Sequence, residues 1–241
     1  MNAVIYGAGV MAQLTKEAIK NAGNNVLAMI DPLGNGDYEN LKVFDKKCDV
    51  IIDFSHFSSL SDILSYAVKN QTPVIIATTG HTEEQMAEII MASADIPILK
   101  TTNTSLGVSI VNEILSYATK LLKGFDIELI EKHHNRKIDA PSGTANTMLE
   151  IIRENLDKET ELVYGREGHK KREPKEIGVH VIRAGNIVGE HSVLFSKGDE
   201  IIEIKHEALS RRIFADGAAD AAIKLISKKN GLYSMKDLLN I

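Results

Sequence analysis

Residues 3–12 read Ala3-Val4-Ile5-Tyr6-Gly7-Ala8-Gly9-Val10-Met11-Ala12, a short apolar strand that runs into a glycine turn and then a helix. The spacing is G-x-G-x-x-A, and each small residue has its own reason. Gly7 permits the tight turn, Gly9 lets a pyrophosphate come up to the backbone, and Ala12 lets helix and strand pack closely. The first N–H groups of the helix then point at the phosphates. The pattern alone is common; its surroundings give it weight.

Working outward, Val26 to Ile30, Val50 to Phe54, Val74 to Ala77 and Ile96 to Leu99 are further short, β-branched runs of the kind buried on both faces. Between them, Met11, Leu14, Ala18, Ile19 and Ala22 mark one helical face. Leu60, Ile63, Leu64 and Ala67 mark a second, and Met86, Ile89, Ile90 and Ala94 a third. Strands alternating with helices imply an α/β domain, a doubly wound parallel sheet of Rossmann type. Asp31 ends the second strand about 20 residues beyond the glycines, where a carboxylate accepts hydrogen bonds from an adenosine ribose. Asp31-Pro32 also reads as the start of a turn. Ala77-Thr78-Thr79-Gly80 and Thr101-Thr102-Asn103-Thr104 follow the fourth and fifth strands. Ligands of open α/β sheets sit at such carboxyl ends, and small hydroxylic residues suit a nicotinamide ribose or simply end strands.

The rhythm changes after residue 104. A helical pattern from Val108 to Leu122 leads to the strand FDIELIEK at 125–132, an irregular stretch, and a helix from about Thr144 to Leu156. Ile177 to His206 reads as three strands joined by turns at Gly185-Asn186 and Lys197-Gly198-Asp199, the grammar of successive hairpins. A C-terminal α+β domain with a mostly antiparallel sheet is expected. A last helical pattern runs from about Ser210 to Lys228 and can pack on either half.

The chain has 241 residues, 44% apolar and 25% charged, which excludes disordered and coiled-coil classes. Acidic side chains outnumber basic ones, 33 to 28, so neither nucleic acid nor an anionic membrane is an expected partner. One cysteine, Cys48, permits no intrachain disulfide and no Cys-based zinc site. No apolar run approaches a membrane span, and the first ten residues lack a signal-peptide pattern. A cytoplasmic protein is expected.

Proton donors and cations concentrate in Glu131-Lys132-His133-His134-Asn135-Arg136-Lys137-Ile138-Asp139-Ala140-Pro141-Ser142-Gly143-Thr144. Ser142 or Thr144 can cap the following helix, whose N–H groups at Gly143 and Thr144 would hold a carboxylate. Histidine titrates near neutrality and lysine can give a proton to developing negative charge. Adjacent histidines on an extended chain point apart, and no H-E-x-x-H spacing is present, so no metal site is expected. A solvated basic turn is the plain alternative.

The run EKHHNRKIDAPSGTA resembles the signature of the 4-hydroxy-tetrahydrodipicolinate reductase (dihydrodipicolinate reductase) family, of the diaminopimelate route to lysine. GAGVMA, DFS at Asp53 to Ser55, ATTG, TTNTSLGV, YGREGH at Tyr164 to His169, IRAGNIVGEH at Ile182 to His191 and RRIFADGA at Arg211 to Ala218 agree in order. The resemblance implies His133 as catalytic histidine, Lys137 as proton-donating lysine, and His134, Gly143 and Thr144 as substrate-carboxylate binders. It implies Gly7 to Ala12, Asp31, Ala77 to Thr79, Thr101 to Thr104, Arg211 and Phe214 at the NAD(P)H cofactor. It also implies a small cyclic dicarboxylate substrate, a homotetramer, and a final helix that returns to the first domain. The expected domains are then 1–104, completed by 212–241, for the dinucleotide, and 105–211 for substrate and oligomerisation. Hydride transfer between groups on two domains implies closure.

Three departures stand out. The glycine loop is one residue shorter than G-x-x-G-R-M-G and lacks its arginine, Pro32 stands where some members carry a basic residue, and Thr104 replaces a larger apolar one. A module that only senses NADH would not need His133 and Lys137, and a metal-dependent hydrolase would need a further ligand such as Asp139. Asp31 repels a 2′-phosphate, and residues 33–37 supply no Arg or Lys to offset it, though Lys42 can fold back. Steady-state assays should therefore return a lower Michaelis constant for NADH than for NADPH; the reverse order would refute the preference.

Overall fold

The computed structural model describes residues 1–239; Asn240 and Ile241, the end of the expected segment 212–241, lie outside the described residues. The first elements are β1 (Asn2–Tyr6), α1 (Val10–Asn21), β2 (Asn25–Ile30), β3 (Val50–Asp53), α2 (Leu60–Asn70), β4 (Val74–Ile76), α3 (Glu83–Ala92) and β5 (Pro97–Lys100). There follow α4 (Leu106–Leu121), β6 (Asp126–His133), α5 (Gly143–Glu154), β7 (Glu161–Tyr164), β8 (Glu176–Arg183), β9 (Gly189–Lys197) and β10 (Glu200–Ala208). The chain ends with α6 (Arg212–Leu225), β11 (Gly231–Tyr233) and α7 (Met235–Leu239). Two units form: Met1–Leu106 with the chain from Arg211 on, and Gly107–Ser210.

In the first unit the sheet order is β11-β5-β4-β3-β1-β2, all parallel. The chain leaves β1 for β2 on one side and returns to β3 on the other, so the switch point opens at the carboxyl ends of β1 and β3. Alternation along each strand feeds two cores. Val4, Tyr6, Ile51, Ile76 and Ile98 pack under Leu60, Ile63 and Leu64 of α2 and Ile89 of α3. Ala3, Ile5, Val50, Ile52, Ile75 and Leu99 pack under Ala12 and Ile19 of α1 and the alanines of α6. The strand runs are continuous because both faces are dry. The expected face of α2 is buried throughout, whereas Ala22 beyond α1 and Ile90 and Ala94 of the third expected face are exposed, and α3 buries Ile89 and Ala92; a capping box of Thr82 and Gln85 starts α3.

The final helical pattern forms α6 in this unit, and β11 adds a sixth strand beside β5 that no pattern in the sequence marks. Alanines at 215, 218, 219, 221 and 222 let α6 lie close on the sheet and α1. Gly217 takes this furthest, since a Cβ there would stand 1.9 Å from Thr104 O. The Thr104 hydroxyl completes the seam by donating to Phe214 O at 2.6 Å.

The second unit has a mixed sheet in the order β10-β9-β6-β8-β7. The β10–β9 and β9–β6 ladders are antiparallel, β10–β9 being the longest; β6–β8 and β8–β7 are parallel. The expected hairpin at Gly198-Asp199 is present, with Lys197 paired to Glu200 and Gly198 at φ +59°. The other expected hairpin is not. Strands β8 and β9 do not pair, because β6 lies between them. The five residues 184–188 are long enough to step over one strand, and they bond to its end: Ala184 N–H donates to His133 O, and Asn135 N–H to Gly185 O. One face of the sheet is dry, with Ile127, Leu129, Ile177, Val179, Val193 and Phe195 packed on Leu115 of α4 and Ala145, Met148, Leu149 and Ile152 of α5.

Gly217→Val forces backbone apart at the α6 seam, so the melting temperature should fall by roughly 5–10 °C. Calorimetry showing an unchanged melting temperature would contradict the close approach.

Candidate active site

At the switch point Gly7 has φ +114° and donates its N–H to Ile30 O at 2.7 Å, and a Cβ there would meet Phe54 O at 2.7 Å. Only glycine suits this position. Gly9 differs: its φ is an ordinary −70°, and a Cβ there would meet nothing within 4 Å. That opening lies before the N-terminus of α1, where no side chain caps the helix and no acid stands in the first turn. Ala8, Val10 and Met11 line the turn, and Ala12 is buried beneath it. A pyrophosphate fits this cradle, since backbone N–H groups and the positive helix end face open space.

Asp31 stands at the end of β2 and serves the turn: its carboxylate accepts from Leu33 N–H at 3.2 Å and from the Asn35 amide at 2.9 Å. Beyond it an open cleft of about 380 Å³ is lined by Tyr6, Pro32, Asn40, Lys42, Ser58 and Ser59, with Glu39 and Asp62 beside them. Ala77, Thr78 and Thr79 follow β4, with Ala77 N–H on Asp53 O at 3.1 Å and Thr78 buried. After β5, Thr101 Oγ1 donates to Asn103 O at 2.7 Å, and Asn103 Oδ1 accepts from Ser105 N–H at 2.8 Å. Thr102 is exposed between them. Thr104 is buried, its hydroxyl spent on Phe214; Arg211 precedes that helix and accepts Phe214 N–H at 3.1 Å. All these loops lie at the carboxyl end of one sheet.

Three charged or titratable groups at that end carry no expectation from the sequence. Burial raises the Asp53 carboxyl, against hydrogen bonds from the Ser55 hydroxyl and N–H. Burial lowers the Lys100 ammonium, against the charge of Asp53; its Nζ donates to Thr78 O at 2.8 Å. His81 is also lowered, by burial and then by Lys100, and both its ring nitrogens are enclosed without a hydrogen-bond partner among the described residues. The DFS motif and the single lysine ending an apolar strand were the available signals.

In the second unit the register of three neighbouring strands builds a polar cluster. His133 of β6 pairs with Arg183 of β8, and Glu131 pairs with His191 of β9. Glu131, with no exposed surface, and His133, at 9%, continue the dry row of Ile127 and Leu129. Glu131 Oε2 lies 2.6 Å from His133 Nδ1. Arg183 donates to both carboxylate oxygens, at 2.8 and 2.7 Å, and Ser142 N–H donates to Oε1 at 3.0 Å. Removing one partner from such a buried pair costs about 3–5 kcal/mol. His191 sits edge-on to His133 with centroids 5.2 Å apart, its Nε2 2.9 Å from Ser142 Oγ. Burial, then the neighbouring His133, pushes His191 down to about 4.

His134, Lys137, Gly143 and Thr144 lie on the continuous path from β6 to α5. His134 is half-buried and outside the cluster, as alternation requires. Lys137 Nζ pairs with the exposed Asp139 at 2.8 Å. Gly143 and Thr144 open α5, which Ser142 caps by accepting Ala145 N–H at 3.2 Å. Glu131, His133 and His191 bring ligand-type atoms within 4.8 Å of one another. The guanidinium of Arg183 already lies on both Glu131 oxygens, however, so a cation there would meet a positive charge.

A doubly wound sheet with an open glycine cradle, in a chain that also carries a buried acid–imidazole–guanidinium cluster, defines a two-unit oxidoreductase of the nicotinamide-dinucleotide class. "Dihydrodipicolinate reductase, N-terminus" matches residues 1–104, and "Dihydrodipicolinate reductase, C-terminus" matches residues 107–239. The 4-hydroxy-tetrahydrodipicolinate reductase of Brachyspira hyodysenteriae is 48% identical over 99% of this chain and 100% of its own. That of Exiguobacterium sibiricum is 45% identical over 99% and 96%. The fold is similar to a dipicolinate-bound dihydrodipicolinate reductase from Paenisporosarcina sp. TG-14, with TM-score 0.79, 21% identity and 98% of each chain covered. The chain belongs to the dihydrodipicolinate reductase family.

Gly9→Ala puts into the cradle a Cβ that meets no protein atom within 4 Å, so NADH affinity should fall at least about tenfold while stability falls by no more than about 1 kcal/mol, the cost of alanine at a helix N-cap. Unchanged affinity by titration calorimetry would remove the pyrophosphate from this turn.

Proposed function

We infer that the protein reduces 4-hydroxy-tetrahydrodipicolinate to tetrahydrodipicolinate: loss of water from the 4-hydroxy form gives dihydrodipicolinate, and a hydride and a proton add to that. Family membership over nearly the whole chain carries the reading, and the cluster around His133 supplies its chemistry. A bound NAD(P)H supplies the hydride. Gly7 to Ala12 hold its pyrophosphate, Asp31 its adenosine ribose, and Ala77 to Thr79 with Thr101 to Thr104, Arg211 and Phe214 its nicotinamide half. Gly143, Thr144 and His134 take the carboxylates of a small cyclic dicarboxylate at the start of α5. The hydride forms the new C–H bond at the ring carbon that becomes C4, and the electron pair of the C=C bond takes a proton at the neighbouring carbon. Lys137 or His133 delivers that proton, quenching charge as it develops.

NADH is the proposed preference, supported by Asp31 and by the acids Glu39 and Asp62 that oppose Lys42 in the adjoining cleft. A homotetramer is proposed from the family resemblance; β10 ends the second sheet with Ile201 66% exposed, apolar surface such an assembly would cover. A cytoplasmic setting suits a chain whose single cysteine, Cys48, is free and buried. No helix among the described residues is long and apolar enough to cross a membrane.

With substrate generated from pyruvate and aspartate semialdehyde, Lys137→Ala and His133→Ala should each lower kcat by about 10²–10⁴-fold with NADH affinity retained. Absent turnover by the native protein despite tight NADH binding would leave a sensing role instead.

A further inference from the structure

Glu131 is fully buried, and its carboxylate binds His133, Arg183 and the Ser142 N–H at the start of α5. Burial by itself raises a carboxyl. Here hydrogen bonds from His133, Arg183 and the Ser142 backbone outweigh burial and hold Glu131 down at about 2. It is therefore ionised at any working pH and can only accept hydrogen bonds. The ring atom 2.6 Å from its Oε2 must then be a donor, so the proton of the neutral imidazole is on Nδ1. The other ring nitrogen, Nε2, lies over Gly189, where a Cβ would stand only 3.1 Å away. Glycine at that position leaves room beside Nε2, on a ring that is otherwise buried.

We propose that Glu131 is a positioning residue for the reduction: clamped by Arg183 and by Ser142 N–H, its carboxylate holds His133 as the Nδ1–H tautomer and makes Nε2 the nitrogen presented to the substrate. The proposal rests on the placement of His133 in the chemical site. The same clamp reaches the second candidate acid. Arg183 Nη2 donates to Asp139 O at 2.7 Å as well as to Glu131, which ties the carboxylate to the loop that carries Lys137. One buried charge thus sets both a ring tautomer and a loop.

Glu131→Gln tests the tautomer directly. Ser142 N–H and Arg183 Nη2 both donate to the Oε1 position and neither can reverse, so the amide oxygen settles there; the amide NH2 then faces Arg183 Nη1 and His133 Nδ1, and of these only the imidazole can change tautomer. The imidazole proton is then driven to Nε2, the wrong tautomer. Serine-protease triads show the same logic, where an acid-to-amide change keeps the geometry and loses the rate.

The experiment is solid-state ¹⁵N NMR of histidine-labelled full-length protein at alkaline pH, with His133 assigned by its loss in His133→Asn, alongside steady-state kinetics. Expected are Nδ1–H in the native protein, Nε2–H in Glu131→Gln, and a fall in kcat on the order of 10²-fold or more with the substrate KM nearly unchanged. Glu131→Asp, which keeps the acceptor, should recover part of kcat. An Nε2–H ring in the native protein overturns the proposal, as does a Glu131→Gln enzyme that keeps both its tautomer and its kcat. If Glu131→Gln does not fold, the native spectrum still decides. Because that spectrum needs no turnover, an inactive native protein with an Nδ1–H ring would overturn the reductase reading alone.

Discussion

The polar cluster of the second unit depends on one buried charge, that of Glu131. Glu131 sits in a row that is otherwise apolar, and nothing but full hydrogen bonding makes such a carboxylate tolerable there. The bonds come from three partners: the ring of His133 on its own strand, the guanidinium of Arg183 on β8, and the backbone of Ser142 at the start of α5, whose Oγ in turn bonds His191 on β9. Strand order, helix start and loop path must all be correct before the charge is satisfied. A network of this kind is costly when partly made and rigid when complete. Rigidity is what a site that orients and protonates requires, since the hydride itself is cofactor chemistry.

The first unit depends on close approach rather than on charge. Gly7 brings the ends of β1 and β2 together under Phe54 O, and Gly217 brings α6 against Thr104 O. Both positions are closed to a side chain. Gly9, two residues along, is open, and the contrast separates a glycine needed by the fold from one whose missing side chain leaves room for a ligand. The hydroxyl of Thr104 belongs to the first group. It closes the α6 seam, which gives a small polar residue a structural use there.

Much of the fold was legible. The five parallel strands and the helices between them follow from near-continuous β-branched runs and 3.6-residue faces, because a strand dry on both sides has no polar positions to confuse the pattern. Strand β11 escaped notice because three residues carry no period. The hairpin expected at Gly185-Asn186 failed for a different reason. A turn sequence says that the chain reverses, not which strand lies beside it, and here β6 takes the middle place.

The sequence by itself determined the class of fold, the glycine cradle and the stretch from His133 to Thr144, because those rest on local spacing, backbone freedom and helix-start chemistry. Tertiary structure alone decided the partners: Glu131 with Arg183, Ser142 with His191, Asp53 with Lys100. These residues are up to 52 positions apart, and register across neighbouring strands, with burial, sets which charges meet. No local pattern encodes that, since pairing is a property of the sheet and not of any one strand.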